Sequence, residues 1–328
     1  MRQGDSVQQP GVLLAIGGAE AKLGRRPVLS AFVAAAGGDG ARIVVVPTAS
    51  SLGSEITEVY RATFTALGAG EVVEARPTTR AEADDPVLVA TLDGADGVFM
   101  TGGNQLRLAA VVSGTRFGDA LHAAHRSGVA IGGTSAGASA LSTHMVAFGT
   151  GGATPKQRMT QLAAGLGLLP GCVIDQHFEQ RNRYGRLLSL VAQSPSLLGV
   201  GIDEDTAAVI HEARWLSVAG RGAVTLVDGR AIRSDADAAK RTSPLLVSGA
   251  VLHVLPAGAS FDLGERSLVD GPARVDPAGA EDIEQANADL ARMAADIAAD
   301  GVSPTHLTRR RRRSRGENEH EPRPQESR

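Results

Sequence analysis

The sequence predicts a three-layer α/β protein: a doubly wound, mostly parallel sheet covered by helices on both faces, with an antiparallel C-terminal extension. Three observations predict it. Short apolar runs rich in β-branched residues alternate with amphipathic segments through the first two-thirds of the chain. Glycine-rich turns follow several of those runs. From about Leu198 the runs become short and closely spaced, with no helical pattern between them.

In chain order, residues 12–16 read as a strand ending in Gly17-Gly18, and 27–36 as a helix opened by Pro27. Residues 42–46 are a buried strand ending at Pro47. Residues 55–67 have helical spacing, with Ile56, Val59, Tyr60 and Phe64 near one face. Strands follow at 72–74 and 97–100, the second closed by Gly102-Gly103. Residues 119–126 are helical, and 129–132 form a strand running into Gly133-Thr134-Ser135. In parallel sheets, sites form at the carboxyl ends of strands, so the three glycine turns should gather on one edge. Residues 172–177 form a further apolar strand. Runs at 200–202, 207–210, 216–219 and 223–227 make the antiparallel part, with Asp228-Gly229 as a hairpin signal. Residues 245–255 add one or two strands.

With 328 residues the chain can bury one large core. We expect a flexible N-terminus at 1–10, a main domain at 11–275, a helical extension at 276–304 and a disordered tail at 305–328 that carries five consecutive arginines, 309–313. Cys172 is the only cysteine, which rules out an intrachain disulfide and a cysteine-rich zinc site. No metal or cofactor is expected. A net charge of −3 gives no nucleic-acid-like footprint. No apolar run reaches membrane-spanning length, and the first ten residues are polar, so a cytoplasmic location is expected.

Chemistry concentrates at Gly133-Thr-Ser135-Ala-Gly137. A sharp strand-to-helix turn pushes a serine hydroxyl out of the backbone, and small neighbours make the bend possible. The next amide, on Ala136, sits at a helix N-terminus, where it can donate to an oxyanion. A helix should follow, with His144 just beyond its start.

A serine hydroxyl needs a base, and the base an orienting acid. Of eight histidines, His177 stands out, because it ends an apolar strand where a parallel sheet would place an active-site base. His122 and His125 lie in a polar helical stretch, and His211 and His253 read as hydrogen-bonded structural residues. His306 and His320 lie in the tail. The acid is Asp203, Glu204 or Asp205, of which one should face His177 while the others meet solvent or donors. Arg183 and Arg186, three apart on a helix face, suit bidentate binding of a substrate carboxylate. Serine, imidazole and carboxylate are expected to meet at the rim of a single sheet.

Together, Ile16-Gly-Gly-Ala-Glu20, Phe99-Met-Thr-Gly-Gly-Asn-Gln105-Leu-Arg, Gly133-Thr-Ser-Ala-Gly-Ala-Ser139, Asp175-Gln-His-Phe178, Gln180-Arg-Asn-Arg-Tyr-Gly-Arg186 and Gly201-Ile-Asp-Glu-Asp205 resemble the serine peptidases that include cyanophycinase and aspartyl dipeptidase. The resemblance implies a fold related to class I glutamine amidotransferases. It implies Ser135 as nucleophile, His177 as general base and Glu204 as orienting acid. The oxyanion hole would come from the amides of Ala136 and of Gly102 or Gly103. Gln105, Asp175, Gln176, Arg181, Arg183 and Arg186 would line the substrate cleft. The implied substrate is cyanophycin, a poly-aspartate with arginine on each side-chain carboxyl, and the implied assembly a homodimer. Asn104 stands where an aspartate is common in the family. A dipeptidase acting on aspartyl or isoaspartyl peptides is the alternative of the same class. A non-catalytic protein holding an anion on the glycine turns is an alternative of another. The order Ser…His…Glu disfavours an α/β-hydrolase esterase.

Overall fold

In the computed structural model, residues 9–271 are described. The expected extension at 276–304 and tail at 305–328 lie outside them, as do residues 1–8. The order of elements is β1 (Leu13–Ile16), α1 (Pro27–Ala35), β2 (Arg42–Val46), α2 (Ser54–Thr65) and β3 (Glu71–Glu74), then two single turns of helix, α3 (Arg80–Ala83) and α4 (Pro86–Val89). Next come β4 (Gly97–Met100), α5 (Gln105–Val112), α6 (Arg116–Arg126), β5 (Ala130–Thr134) and α7 (Ala136–Ala140). A hairpin, β6 (His144–Gly149) and β7 (Thr160–Ala164), leads to β8 (Cys172–Gln176), α8 (Tyr184–Gln193) and β9 (Leu198–Ile202). The rest is β10 (Thr206–His211), β11 (Trp215–Gly220), β12 (Ala223–Asp228), β13 (Arg233–Ser234), β14 (Val247–Ser248), β15 (Val251–Pro256), β16 (Ser260–Asp262) and β17 (Ser267–Asp270).

A nine-stranded sheet has the order β17-β16-β11-β10-β1-β5-β4-β2-β3. From β1 to β3 its neighbours run parallel, and from β1 outward through β10 to β17 they run antiparallel. Side chains alternate across it. Ile43, Val45 and Phe99 face Phe32 of α1 and Tyr60 and Phe64 of α2. Val44, Val46 and Met100 face Leu108 of α5 and Phe117 and Leu121 of α6. That is the expected three-layer arrangement. Phe32, Phe64, Phe99 and Tyr60 form one aromatic cluster with centroids 4.8–5.7 Å apart. Each such ring contributes about 1.5–3 kcal/mol by burial. Val59, expected on the same helical face, is exposed, and Thr57 and Thr63 are buried in its stead.

Two expectations about the second half change. The strand at 198–202 pairs parallel with β8 in a separate four-stranded sheet, order β15-β12-β9-β8. Asp228-Gly229 closes no tight hairpin: β12 pairs with β15, Asp228 opposite Val251, across a long excursion that carries the β13–β14 pair. Asp228 is buried there, accepting hydrogen bonds from Arg230 and Arg266. Its side chain anchors the excursion, and the length of the connection leaves no two-residue turn to form.

Candidate active site

β1, β5 and β4 are adjacent and parallel, so Gly17-Gly18, Ser135 and Gly102-Gly103 leave the same edge of the large sheet. The carbonyls that end β1 then gather the rest. Ile16 O accepts the amide of Ser135, Gly17 O that of His177, and Gly18 O that of Asp205, each at 2.9 Å. β8 and β9 are parallel partners, so His177 and Glu204 also emerge side by side. The site therefore straddles the meeting of two sheets, not the rim of one. The end of β1 is the seam, because its carbonyls pass their hydrogen bonds to residues of both.

Ser135, His177 and Asp205 all have left-handed backbones, with φ of 51°, 49° and 50°. For residues with a Cβ this costs of order 1–3 kcal/mol each and persists where surroundings over-determine it. Here the carbonyls of Ile16, Gly17 and Gly18 supply that determination.

The side chains make a chain of hydrogen bonds. Ser135 Oγ lies 2.9 Å from His177 Nε2, and His177 Nδ1 lies 2.6 Å from Glu204 Oε1. A proton on Nδ1, donated to the carboxylate, leaves Nε2 as acceptor for the serine hydroxyl. Burial pushes the His177 pKa below its ordinary value, the Glu204 hydrogen bond opposes that, and the nearby Arg181 and Arg183 charges reinforce it. This setting favours the neutral imidazole. The flanking acids are engaged elsewhere. Asp203 accepts the amides of Glu179 and Ala223. Asp205 accepts the amide of Ala21 and pairs with Arg221 at 3.0 Å.

The amides of Gly102, Gly103 and Ala136 have no acceptor among the described residues. Gly102 backs onto the serine: a Cβ there would sit 3.4 Å from Ser135 Cβ. The helix after Ser135 is shorter than expected, ending at Ala140, and His144 opens strand β6 instead. The loop at 165–169 captures the carbonyls of Ala140, Leu141, Ser142 and Thr143, which stops the helix. Of the other histidines, His122 and His125 bond to the carbonyls of Leu166 and Gly11. His253 Nε2 is buried without a partner, where a hydrogen bond was expected.

The residues expected to line the cleft separate into two groups. Asp175 is fully buried and pairs with the protein's own arginines: Arg183 Nη1 at 3.0 Å, Arg186 Nε at 2.7 Å, and Arg186 Nη2. Arg186 also donates to Gly149 O, and Arg183 to Gln176 O. Burial lowers the Arg183 pKa to about 10, Asp175 opposing it. Arg183 and Arg186 are thus not a free carboxylate clamp. Two guanidinium groups this deeply buried require a counter-charge, and Asp175 is it. Gln105 donates to Val146 O and Ala147 O and fastens the β6–β7 hairpin. Two other groups have no protein partner among the described residues. The Gln176 Oε1 atom is buried without a partner, and the exposed Arg181 side chain makes no hydrogen bond among the described residues. Asn104 caps α5 by accepting the Arg107 amide, a role an aspartate performs equally well.

Glu20 lies in one of the quoted motifs, but no local pattern gives it a role. It is buried and accepts from Tyr60 Oη at 2.5 Å and from Thr134 Oγ1 at 2.6 Å, with Lys22 Nζ at 3.1 Å. It joins the aromatic cluster to the residue preceding Ser135. A carboxylate four residues beyond a buried strand was its only signal.

Among the described residues no cluster of three or more His, Cys, Asp or Glu side chains is placed to hold a metal ion.

The fold is similar to that of a crystallised peptidase from an acI-B1 Actinobacterium, with a TM-score of 0.57 and 23% identity over 78% of this chain and 98% of that one. In sequence, the chain is 39% identical over 265 residues to a cyanophycinase of Nostoc sp., covering 80% of this chain and 89% of the relative. It is 40% identical over 255 residues to a cyanophycinase of Synechococcus elongatus, covering 77% and 79%. Residues 13–218 match the Peptidase family S51 model. That span runs from β1 into β11 and includes Ser135, His177, Glu204 and the carbonyls that gather them. The chain belongs to peptidase family S51.

Proposed function

We infer that the protein is a serine exopeptidase that shortens cyanophycin, releasing β-aspartyl-arginine. The observation that carries this reading is the hydrogen-bonded series Ser135–His177–Glu204 beside the unbonded amides of Gly102, Gly103 and Ala136. In the mechanism it supports, His177 Nε2 takes the Ser135 proton as Oγ attacks an α-peptide carbonyl of an aspartyl residue. Glu204 holds the Nδ1 proton and stabilises the imidazolium that forms. The Ala136 amide and that of Gly102 or Gly103 receive the oxyanion, each donor worth about 3 kcal/mol to the transition state. His177 then protonates the leaving amine and activates the water that releases the acyl group. The exposed Arg181 offers a cation to a substrate carboxylate.

The cyanophycinase relatives, at 36–40% identity over most of their length, support the polymer as substrate. On the same reading residues 11–275 form the catalytic domain, and the protein works in the cytoplasm as a homodimer. Purified protein is incubated with insoluble cyanophycin, and the soluble fraction is analysed by mass spectrometry. β-Aspartyl-arginine is the expected product. Hydrolysis of short aspartyl peptides with the polymer left intact would replace this reading with that of a dipeptidase.

A further inference from the structure

The loop from β1 to α1 starts beside the imidazole at Gly17 and Gly18 and ends at Arg26. At its far end is a cavity of about 590 Å³ lined by Arg25, Arg26, Pro27, Ser30, Leu67 and Arg221. Three arginines line it. Arg221 pairs with Asp205. Arg25 makes no ion pair or side-chain hydrogen bond among the described residues, and the buried Nε of Arg26 has no partner. Lys22, on the same loop, is held by Glu20. Helix α1 begins at the cavity with no side-chain cap and no acid in its first turn. The positive end of its dipole therefore adds to the arginine charge. The cations outnumber the acids that answer them, and the space between them is open.

The substrate class poses a matching demand. In cyanophycin each arginine is joined through its α-amino group, so every repeat carries a free carboxylate. Arg183 and Arg186, which sequence reasoning offered to those carboxylates, are occupied by Asp175. We propose that the Arg25–Arg26–Arg221 cavity is an exosite that binds carboxylates of the polymer beyond the unit being cleaved. This rests on the cyanophycin reading. The exosite is tied to the catalytic edge, since Arg221 pairs with Asp205 and Gly18 O accepts the Asp205 amide. It takes no part in bond breaking, so it acts on capture of long substrate alone.

The test uses the double variant Arg25→Glu, Ser30→Glu, both positions exposed and outside the catalytic machinery. Steady-state kinetics are measured on the polymer and on a substrate of two β-aspartyl-arginine units. Binding of soluble poly-L-aspartate is measured separately in a Ser135→Ala background. We expect KM for the polymer to rise about tenfold with kcat unchanged, kcat/KM for the two-unit substrate to stay the same, and poly-aspartate affinity to fall about tenfold. Unchanged KM on the polymer together with unchanged poly-aspartate binding would overturn the exosite, as would equal losses on long and short substrates. If poly-aspartate binding falls in the variant but wild-type protein releases nothing from cyanophycin, the carboxylate site stands and the cyanophycin reading fails.

Discussion

Gly18 and the His177 imidazole occupy adjoining space: a Cβ at position 18 would fall 2.6 Å from Nε2 and 3.1 Å from Nδ1, and nearer still to Cε1. Gly18 also has φ +101°, a backbone that L side chains rarely adopt. Its carbonyl meanwhile holds the residue after Glu204. One glycine thus makes room for the His177 ring and holds the turn after Glu204. Gly18→Ala should displace the ring from Ser135 and cut kcat/KM by about 100-fold, with the circular-dichroism spectrum of the fold retained. A variant within threefold of wild type would show that the ring has room to spare.

Glu20 ties the same loop to the nucleophile strand. Burial, the Glu20 charge and the Glu20 hydrogen bond hold the Tyr60 pKa well above its ordinary value, so Tyr60 stays a donor. Glu20→Ala leaves the Tyr60 and Thr134 hydroxyls without an acceptor in the core, at about 1–3 kcal/mol each. It also frees Thr134 to move Ser135. We expect a lower urea midpoint and a fall of about tenfold or more in kcat. Tyr60→Phe removes a single bond, about 1 kcal/mol, and should leave kcat nearly unchanged.

The Asp175 pairs make a contrasting prediction. Asp175→Ala strands two buried arginines and should cost about 3–5 kcal/mol in denaturant unfolding. Replacing all three members by apolar residues, Asp175→Leu with Arg183→Met and Arg186→Met, removes the stranded charges and should recover much of that loss. A triple variant less stable than the single one would mean that the arginines contribute more than charge compensation.

Activity should also report the His177 environment. As the proposed general base, His177 would work only when neutral, and burial lowers its pKa from the ordinary 6.5. Protonation removes the Nε2 acceptor, so kcat/KM should fall as pH drops, with a midpoint below 6.5, and level off above it. Glu204→Gln removes the negative charge that favours the charged ring, and an amide that donates to Nδ1 would hold the wrong tautomer. Its midpoint should move lower still, while the rate drops about 10³–10⁴-fold. A midpoint above 6.5 would contradict the buried, arginine-flanked setting of the ring.

Much of this was legible in the chain, for identifiable reasons. Strand-to-glycine turns at 17, 102 and 133 announce a parallel sheet edge, and periodicity places α1, α2 and β2 closely. What escaped was set by tertiary partners. No local pattern distinguishes a strand that extends the main sheet from β9, which pairs with β8 in a second sheet. The arginine spacing at 183 and 186 is the same whether the cations face substrate or Asp175. The helix after Ser135 is cut short by carbonyl contacts from residues about 25 positions downstream, which helix propensity cannot register. Glu20 escaped because a lone acid on a loop reads as solvated until Tyr60 and Thr134 close around it.

Catalysis on this reading requires that Ser135 attack and be acylated. Intact-mass spectrometry after treatment with a serine-directed organophosphonate, followed by peptide mapping, tests it most directly. A single adduct on Ser135 is expected, with parallel loss of peptidase activity and no labelling of Ser135→Ala or His177→Ala. An unlabelled Ser135 in fully inhibited protein, or a Ser135→Ala variant that still turns over substrate, would contradict it.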